Sequence, residues 1–304
     1  MTEGRIIEVR ERPARVRLDT GRLVIESETR DREPLHAEIA AREVAALILA
    51  HPQIAISGAA LAAVAEAGGV VVIGGEDALP RAMLLPFGGH HAPTRRLAAQ
   101  WDASLPTRKR LWAEIVRAKI AGQAAVLRSR NMDTIVLSSL AKTVRSGDPD
   151  NQEAQAARYY WSRLWGENFV RDREAQDQNR LLNYGYAILR AIVARALCGA
   201  GLHPGAALHH HHRNNPFPLA DDLMEFLRPV VDSEIISLVE ADGPYQPLDA
   251  PLRRRLASVL VQEEFRFGRE TWIPATLAQQ VAQRLGRVFE GKRESLGLDA
   301  LWDE

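Results

Sequence analysis

The chain contains one cysteine, Cys198, in 304 residues. That excludes an intrachain disulfide and fits a reducing compartment. No run reaches the roughly 18 uncharged apolar residues that a membrane-crossing helix needs. The opening Met1-Thr2-Glu3-Gly4-Arg5 has no apolar core, so no signal peptide is expected and the cytoplasm is the expected location. Charge of one sign is not in excess: 39 basic and 39 acidic residues leave a formal net charge of zero. This excludes histone-like binding through bulk charge, though not a local basic surface. No internal repeat is present, and no low-complexity segment beyond a short histidine run. What remains is the composition of a globular protein, 46% hydrophobic and 26% charged, so disorder is excluded as the main state. Cys198 follows the apolar run Ile188–Leu197 and reads as core filler rather than a nucleophile.

The length allows one large domain or two ordinary ones. The first third reads as short strands with two small helices. Ile6–Val9, Val16–Leu18 and Leu23–Ile25 are strand-like, with Thr20-Gly21 as a turn between two of them. A short helix is expected over 42–49, a strand over Ile54–Ile56, and an Ala-rich helix over 59–67 that ends at Gly68-Gly69. Val70–Ile73 is fully apolar and predicts a buried strand. Phe87-Gly88-Gly89-His90-His91-Ala92-Pro93 reads as a linker. Beyond it, helices are expected over 94–103, 107–130, 133–145, 153–165, 178–199, 220–228, 233–240, 249–267 and 274–290. The expected fold class is α+β: a β-rich domain over 1–87, then a larger all-α-helical domain over 94–304.

Between Arg95 and Arg145 the sequence has eleven basic residues against Asp102, Glu114 and Asp133. A basic helical segment in a neutral protein suits a phosphate backbone, and Arg108, Arg110, Arg128 and Arg130 are the DNA-contact candidates. The same residues also suit a plain solvated helix face, because Arg and Lys are good helix formers.

Three places bear chemistry. The run His209-His210-His211-His212 cannot grip one ion with every ring, because neighbouring side chains diverge in strand and helix alike. Asp221, Asp222 and Glu225 follow within one or two helical turns, so Glu225 shares a face with at least one aspartate. Asp221 and Asp222 can equally serve as partners of the helix N-terminus. One imidazole with two or more carboxylates suits Mg²⁺ or Mn²⁺ better than structural zinc. Glu153 heads a stripe with Ala156, Ala157, Tyr160 and Leu164, so it points inward, although a glutamate at a helix start can also simply complement the dipole.

These segments carry a resemblance. Asn151-Gln152-Glu153-Ala154-Gln155-Ala156-Ala157-Arg158-Tyr159-Tyr160-Trp161 resembles the first metal-ligand motif of the CRISPR spacer-acquisition integrases, the universal adaptation nucleases. Leu181–Leu189 resembles that family's central helix. Leu208-His209-His210 through Asn214, with Phe217–Glu225 and Arg228-Pro229, resembles its second ligand block. Order and spacing match, and the version of type II systems is nearest. The resemblance implies Glu153, His210 and Glu225 as catalytic metal ligands. His210 is chosen because it lies fifteen residues before Glu225. Asp222 is an alternate or supporting ligand, with Asp221 beside it. The sequence departs from the family in having four histidines where one is usual, and Phe226-Leu227 where Pro-Phe is usual.

The resemblance further implies a homodimer in a higher-order complex with a small ferredoxin-like partner. The β-rich domain has no candidate catalytic residue and an acidic excess that makes it a poor DNA surface, so it is expected to be the dimerisation unit, and the helical domain over 94–304 the catalytic one. The substrate would be double-stranded DNA, both spacer precursor and CRISPR repeat. The implied reaction is attack of a DNA 3′-hydroxyl on a repeat phosphodiester, without ATP, and hydrolysis when water attacks instead. Two other readings stay open from the residues alone. A metal-dependent hydrolase with a non-nucleic substrate would share the ligands, and a non-catalytic DNA-binding scaffold would share the basic segment.

Overall fold

The first strands alternate as a half-buried sheet requires, and a tight turn sets their register. β1 (Arg5–Val9), β2 (Ala14–Asp19), β3 (Arg22–Thr29) and β4 (Arg32–Ala40) precede a 3-10 turn over Ala41–Glu43. Next come β5 (Val44–Leu49), β6 (Ile54–Ile56), α1 (Gly58–Glu66), β7 (Val70–Gly74) and β8 (Pro80–Leu84). The computed structural model describes residues 4–302, apart from 30–31, 76–79, 87–91, 173 and 211–213. Most of the expected linker 87–93 therefore lies outside the described residues. Thr20 and Gly21 both take positive φ, 47° and 77°. That is the two-residue turn that matches the twist of a hairpin, here β2 and β3.

The strands form two four-stranded sheets, ordered β1-β5-β7-β8 and β4-β3-β2-β6. In the first, β1, β5 and β7 run parallel and β8 antiparallel. The two sheets and α1 share one core, built on Val16, Leu23, Leu47, Val64 and Val71. The expected helix over 42–49 is β5 instead. All six of its residues are buried, with Leu47 and Leu49 toward that core and Ala46 and Ile48 toward the opposite face. A strand covered on both faces loses the alternation that would reveal it. β4 and β8 also escape the sequence reading. β4 is rich in charge, and β8 begins with Pro80, tolerated as the first residue of an outer strand. In β7, Val70–Val72 are buried as expected, but Ile73 is 48% exposed.

From Pro93 the chain is helical: α2 (Pro93–Trp101), α3 (Leu105–Arg128), α4 (Ile135–Thr143), α5 (Gln152–Trp165), α6 (Gln178–Gly199), α7 (Pro218–Met224), α8 (Arg228–Asp242), α9 (Ala250–Val261) and α10 (Pro274–Phe289). One correction applies to the all-helical expectation. The segment read as helix to residue 267 ends at Val261, and β9 (Phe265–Phe267) pairs with β10 (Glu270–Trp272). Gly268, at φ 54°, lies in the turn between them, and Phe265 and Phe267 pack on Trp302.

α6 is the central post. Among the described residues it is the one helix long and apolar enough to cross a membrane, yet most of it is covered by the rest of the fold. A Cβ on Gly185 would lie 2.5 Å from Val231 Cγ1, so glycine lets α8 approach closely. Burial pushes the Cys198 thiol up to about 11, which keeps it protonated and unreactive.

The sheets dock on α6, where Ala191 packs with Ala46, Ile48, Val70 and Val72. Arg195 Nε donates to Gly68 O at 2.5 Å. A second tie joins β1 to α9. Arg253, 4% exposed, donates to Glu8 Oε2 at 2.7 Å, Glu11 Oε1 at 2.6 Å and Leu248 O at 2.6 Å. Arg253→Ala would leave the Glu8 carboxylate without its cation. We expect a loss of about 3 kcal/mol in urea unfolding. A change below about 0.5 kcal/mol would show that this tie carries no weight.

Candidate metal centre between two helix ends

Glu153 lies in the first turn of α5, and the loop before it decides where it points. Asp148 and Asn151 adopt left-handed φ of 48° and 54°. The Asp148 carboxylate caps the helix, accepting from Gln152 N at 2.8 Å and Glu153 N at 3.0 Å. Ala156 and Tyr160, one and two turns on, are fully buried, so Glu153 faces inward.

Glu225 arrives differently from expectation. The helix expected over 220–228 breaks into α7, a 3-10 turn over Glu225–Leu227, and α8. Pro229 has no N–H to give Glu225 O four residues back. Arg228 N–H bonds that carbonyl instead, in the tighter pattern. Glu225 itself is 3% exposed.

Between these two carboxylates sits Lys119, from the middle of α3. Its Nζ is 2.6 Å from Glu153 Oε1 and 2.5 Å from Glu225 Oε2. Arg228 adds a contact to Glu225 Oε1 at 2.9 Å, with its guanidinium 4.5 Å over the Tyr186 ring. Burial opposes the charge on Glu153. The Lys119 ammonium overcomes it, with His210 and Arg228 beyond, and holds the carboxyl below its ordinary value. Burial likewise opposes the charge on Lys119, but Glu225 and Glu153 raise its pKa.

His210 is held by Asp222, which is fully buried. One carboxylate accepts from Leu208 N at 2.6 Å, His209 N at 2.9 Å, His210 N at 3.1 Å and His210 Nδ1 at 2.5 Å. With Nδ1 so occupied, Nε2 is the ring nitrogen left for another ligand. The bond to Asp222 raises the His210 pKa against the pull of burial, and the charges of Glu225 and Glu153 add to it. Trp112 braces the loop, stacked on His209 at 4.4 Å and edge-on to His210 at 5.3 Å. His211 and His212 lie outside the described residues.

Asp221 faces elsewhere. It accepts from Arg190 Nε at 2.6 Å, from Arg190 Nη2 and from Asn215 Nδ2 at 2.6 Å, which ties α7 to α6. The basic segment also divides. Arg108 donates to Gln100 O and Trp101 O at the end of α2. Arg130 is engaged with Glu240, Ser233 O and Ser237. Arg96 and Lys119 are buried. Arg110 and Arg128 are exposed.

As it stands, no group of three or more His, Cys, Asp and Glu among the described residues is gathered tightly enough to hold an ion. The physical reason is Lys119, whose ammonium separates the two glutamates. The donor set still fits a hard divalent cation, with two buried carboxylates and an imidazole whose other nitrogen is fixed. Glu225 Oε2 is close to Nζ yet makes no aligned hydrogen bond.

The family model described as CRISPR associated protein Cas1 matches residues 7–243. The chain belongs to the Cas1 family. It is 39% identical over 220 residues to the CRISPR-associated endonuclease Cas1 of Neisseria meningitidis serogroup C, covering 72% of each chain. Its fold matches a casposase bound to integration product, with TM-score 0.80 at 19% identity, over 99% of this chain and 94% of that one. It also matches a chain of a Cas6-RT-Cas1–Cas2 complex, with TM-score 0.75 at 18% identity, over 100% of this chain and 36% of that one. The Cas1-family match contains Glu153, His210, Asp221, Asp222 and Glu225, and ends before α9.

Three residues of this candidate site escaped the sequence reading: Lys119, Asp148 and Trp112. For Lys119 a signal existed. Trp112, Ile115, Val116, Lys119 and Gln123 form one helical stripe, and a lysine on an apolar stripe calls for a buried carboxylate. Asp222→Ala would strip the acceptor from three backbone N–H groups and the imidazole at once. We expect about 3 kcal/mol or more lost in denaturant unfolding, with Asp222→Asn in between. Equal stability of Asp222→Ala and wild type would mean that the histidine loop is held by other contacts.

Proposed function

We propose that the chain is a metal-dependent DNA integrase and endonuclease that inserts spacer DNA into a CRISPR array. The observation that carries this reading is the convergence of Glu153 and Glu225 on one buried point, with His210 presented beside them by Asp222. The names of the relatives, an endonuclease and a casposase on its integration product, agree with it.

Glu153, His210 and Glu225 would hold Mg²⁺ or Mn²⁺. A bound cation there stabilises charge on a phosphoryl group in flight and on the departing oxygen. The chain's own contributions are positional. Asp148 fixes the start of α5 and so aims Glu153. Asp222 holds His210 by Nδ1, which leaves Nε2 for coordination. Arg228, packed over the Tyr186 ring, offers a cation beside Glu225. In the overall exchange, a 3′-oxygen forms a bond to a repeat phosphorus, and the phosphorus releases the 3′-oxygen of the cut strand. The proton leaves the attacking hydroxyl and the departing strand gains one. The number of phosphodiester bonds is unchanged, so no ATP is consumed. Water in place of the hydroxyl gives hydrolysis.

The partners belong to the same proposal. They are double-stranded DNA, a second copy of the chain, and a small ferredoxin-like protein. Residues 1–87 would serve as the dimerisation unit and 94–304 as the catalytic one. A symmetric dimer presents two sites at a fixed separation, as joining both ends of one DNA segment requires.

Glu153→Ala, His210→Ala and Glu225→Ala should each reduce Mn²⁺-dependent nicking and strand transfer by about 100-fold or more, with the fold intact by circular dichroism. Full activity in all three variants would remove the mechanism, and activity without any divalent cation would remove the metal. For DNA contact, Arg110 and Arg128 are the two of the four candidates that are exposed. Arg110→Glu with Arg128→Glu should weaken binding regardless of sequence and flatten its dependence on salt. An unchanged salt slope would leave these arginines as a solvated surface.

A further inference from the structure

Two observations lie beside the carboxylate pair and are not used by the reaction. The first is that the point between Glu153 and Glu225 already holds a cation, the Lys119 ammonium. A divalent ion drawn to the same oxygens would meet a positive charge at hydrogen-bond distance from both. The two cannot share the position, so Lys119 must leave when the ion arrives. The second is a cavity of about 270 Å³ next to Lys119, lined among others by Gln123, Tyr186, Arg228 and Asp232. Gln123 is 2% exposed, and its Oε1 has no hydrogen-bond partner. It stands four residues after Lys119 on α3 and therefore on the same helix face. A buried amide oxygen without a donor is costly, and a lysine one turn away is the donor nearest in sequence. Asp232, on the same cavity wall, supplies negative charge, set against the guanidinium groups of Arg171 and Arg228 on that wall.

We propose that Lys119 is a two-position counterion. In the metal-free protein it bridges Glu153 and Glu225 and keeps two buried carboxylates from repelling each other. When a divalent cation binds, the ammonium turns into the neighbouring cavity and donates to Gln123 Oε1. Lys119 thus stabilises the empty site, weakens metal binding by competition, and limits that weakening by having a second place to go. The inference rests on the metal reading above and extends it to a residue outside the ligand set.

The test is Mn²⁺ binding by titration calorimetry on the full chain, with thermal melting in EDTA alongside. Lys119→Met should melt below wild type in EDTA, bind Mn²⁺ about tenfold more tightly, and regain the lost stability at saturating Mn²⁺. Gln123→Leu removes the second position and leaves the bridge. It should weaken Mn²⁺ binding about threefold in the wild-type background and not at all in the Lys119→Met background. Unchanged or weaker binding by Lys119→Met would overturn the competition. The same Gln123→Leu effect in both backgrounds, or none in either, would overturn the second position. Should Lys119→Met fail to fold without metal, Lys119→Gln, which also removes the charge, takes its place in both comparisons. Wild-type protein that takes up no Mn²⁺ would overturn the metal reading and this inference with it, whereas uptake unaffected by either substitution overturns only the inference.

Discussion

Two ionised carboxylates repel each other inside a protein unless a cation stands between them or one takes up a proton, and much of the architecture around the site follows from that constraint. Glu153 and Glu225 come from separate helix ends and are both largely withdrawn from water. Desolvation alone would push a carboxyl toward its neutral form. Lys119 reverses this for Glu153, whose pKa is held low. The ammonium must in turn be delivered from the interior of a long helix. α3 runs 24 residues and is buried along most of its length, so it is a rigid support for that one charge.

Around this charge cluster, polar groups on neighbouring segments act as fixed brackets. Asp148 caps α5, Asp222 collects the histidine loop, and Asp221 locks α7 to Arg190 of α6. Each aspartate orients one element, and together they set the distance between the two helix ends. Asp232 is the exception. Burial pushes its carboxyl up to about 6, against the opposing effects of Tyr186 and Arg228. It lines the cavity behind Lys119 rather than holding backbone. The strand-rich part is tied to the same framework through Arg253 and through the apolar contact of its first sheet with α6.

Much of this was legible from residue order, for specific reasons. Helices α5 and α6 were located within a residue, because a polar start and a strong apolar stripe mark them. Glu153, His210 and Glu225 were singled out by the family resemblance; the structure sets Glu153 and Glu225 on either side of Lys119, with His210 near enough to feel both charges. The failures are equally specific. Residues 42–49 lack alternation because β5 is covered on both sides. The turn at Glu225 follows from Pro229, whose effect on the carbonyl four residues earlier was overlooked. Arg108 and Arg130 looked like surface charge but are engaged with groups as distant as Glu240.

The sequence by itself determined the strand-then-helix order and the family, because these depend on local periodicity and on motif order, and through that family resemblance it singled out Glu153, His210 and Glu225. Only the tertiary structure decided what those side chains face. That Lys119 stands between Glu153 and Glu225, that Asp222 rather than Asp221 holds His210, and that Gln123 borders a cavity are all contacts across many residues of chain. Such contacts arise from how helices pack, and helix packing is settled by the whole core at once.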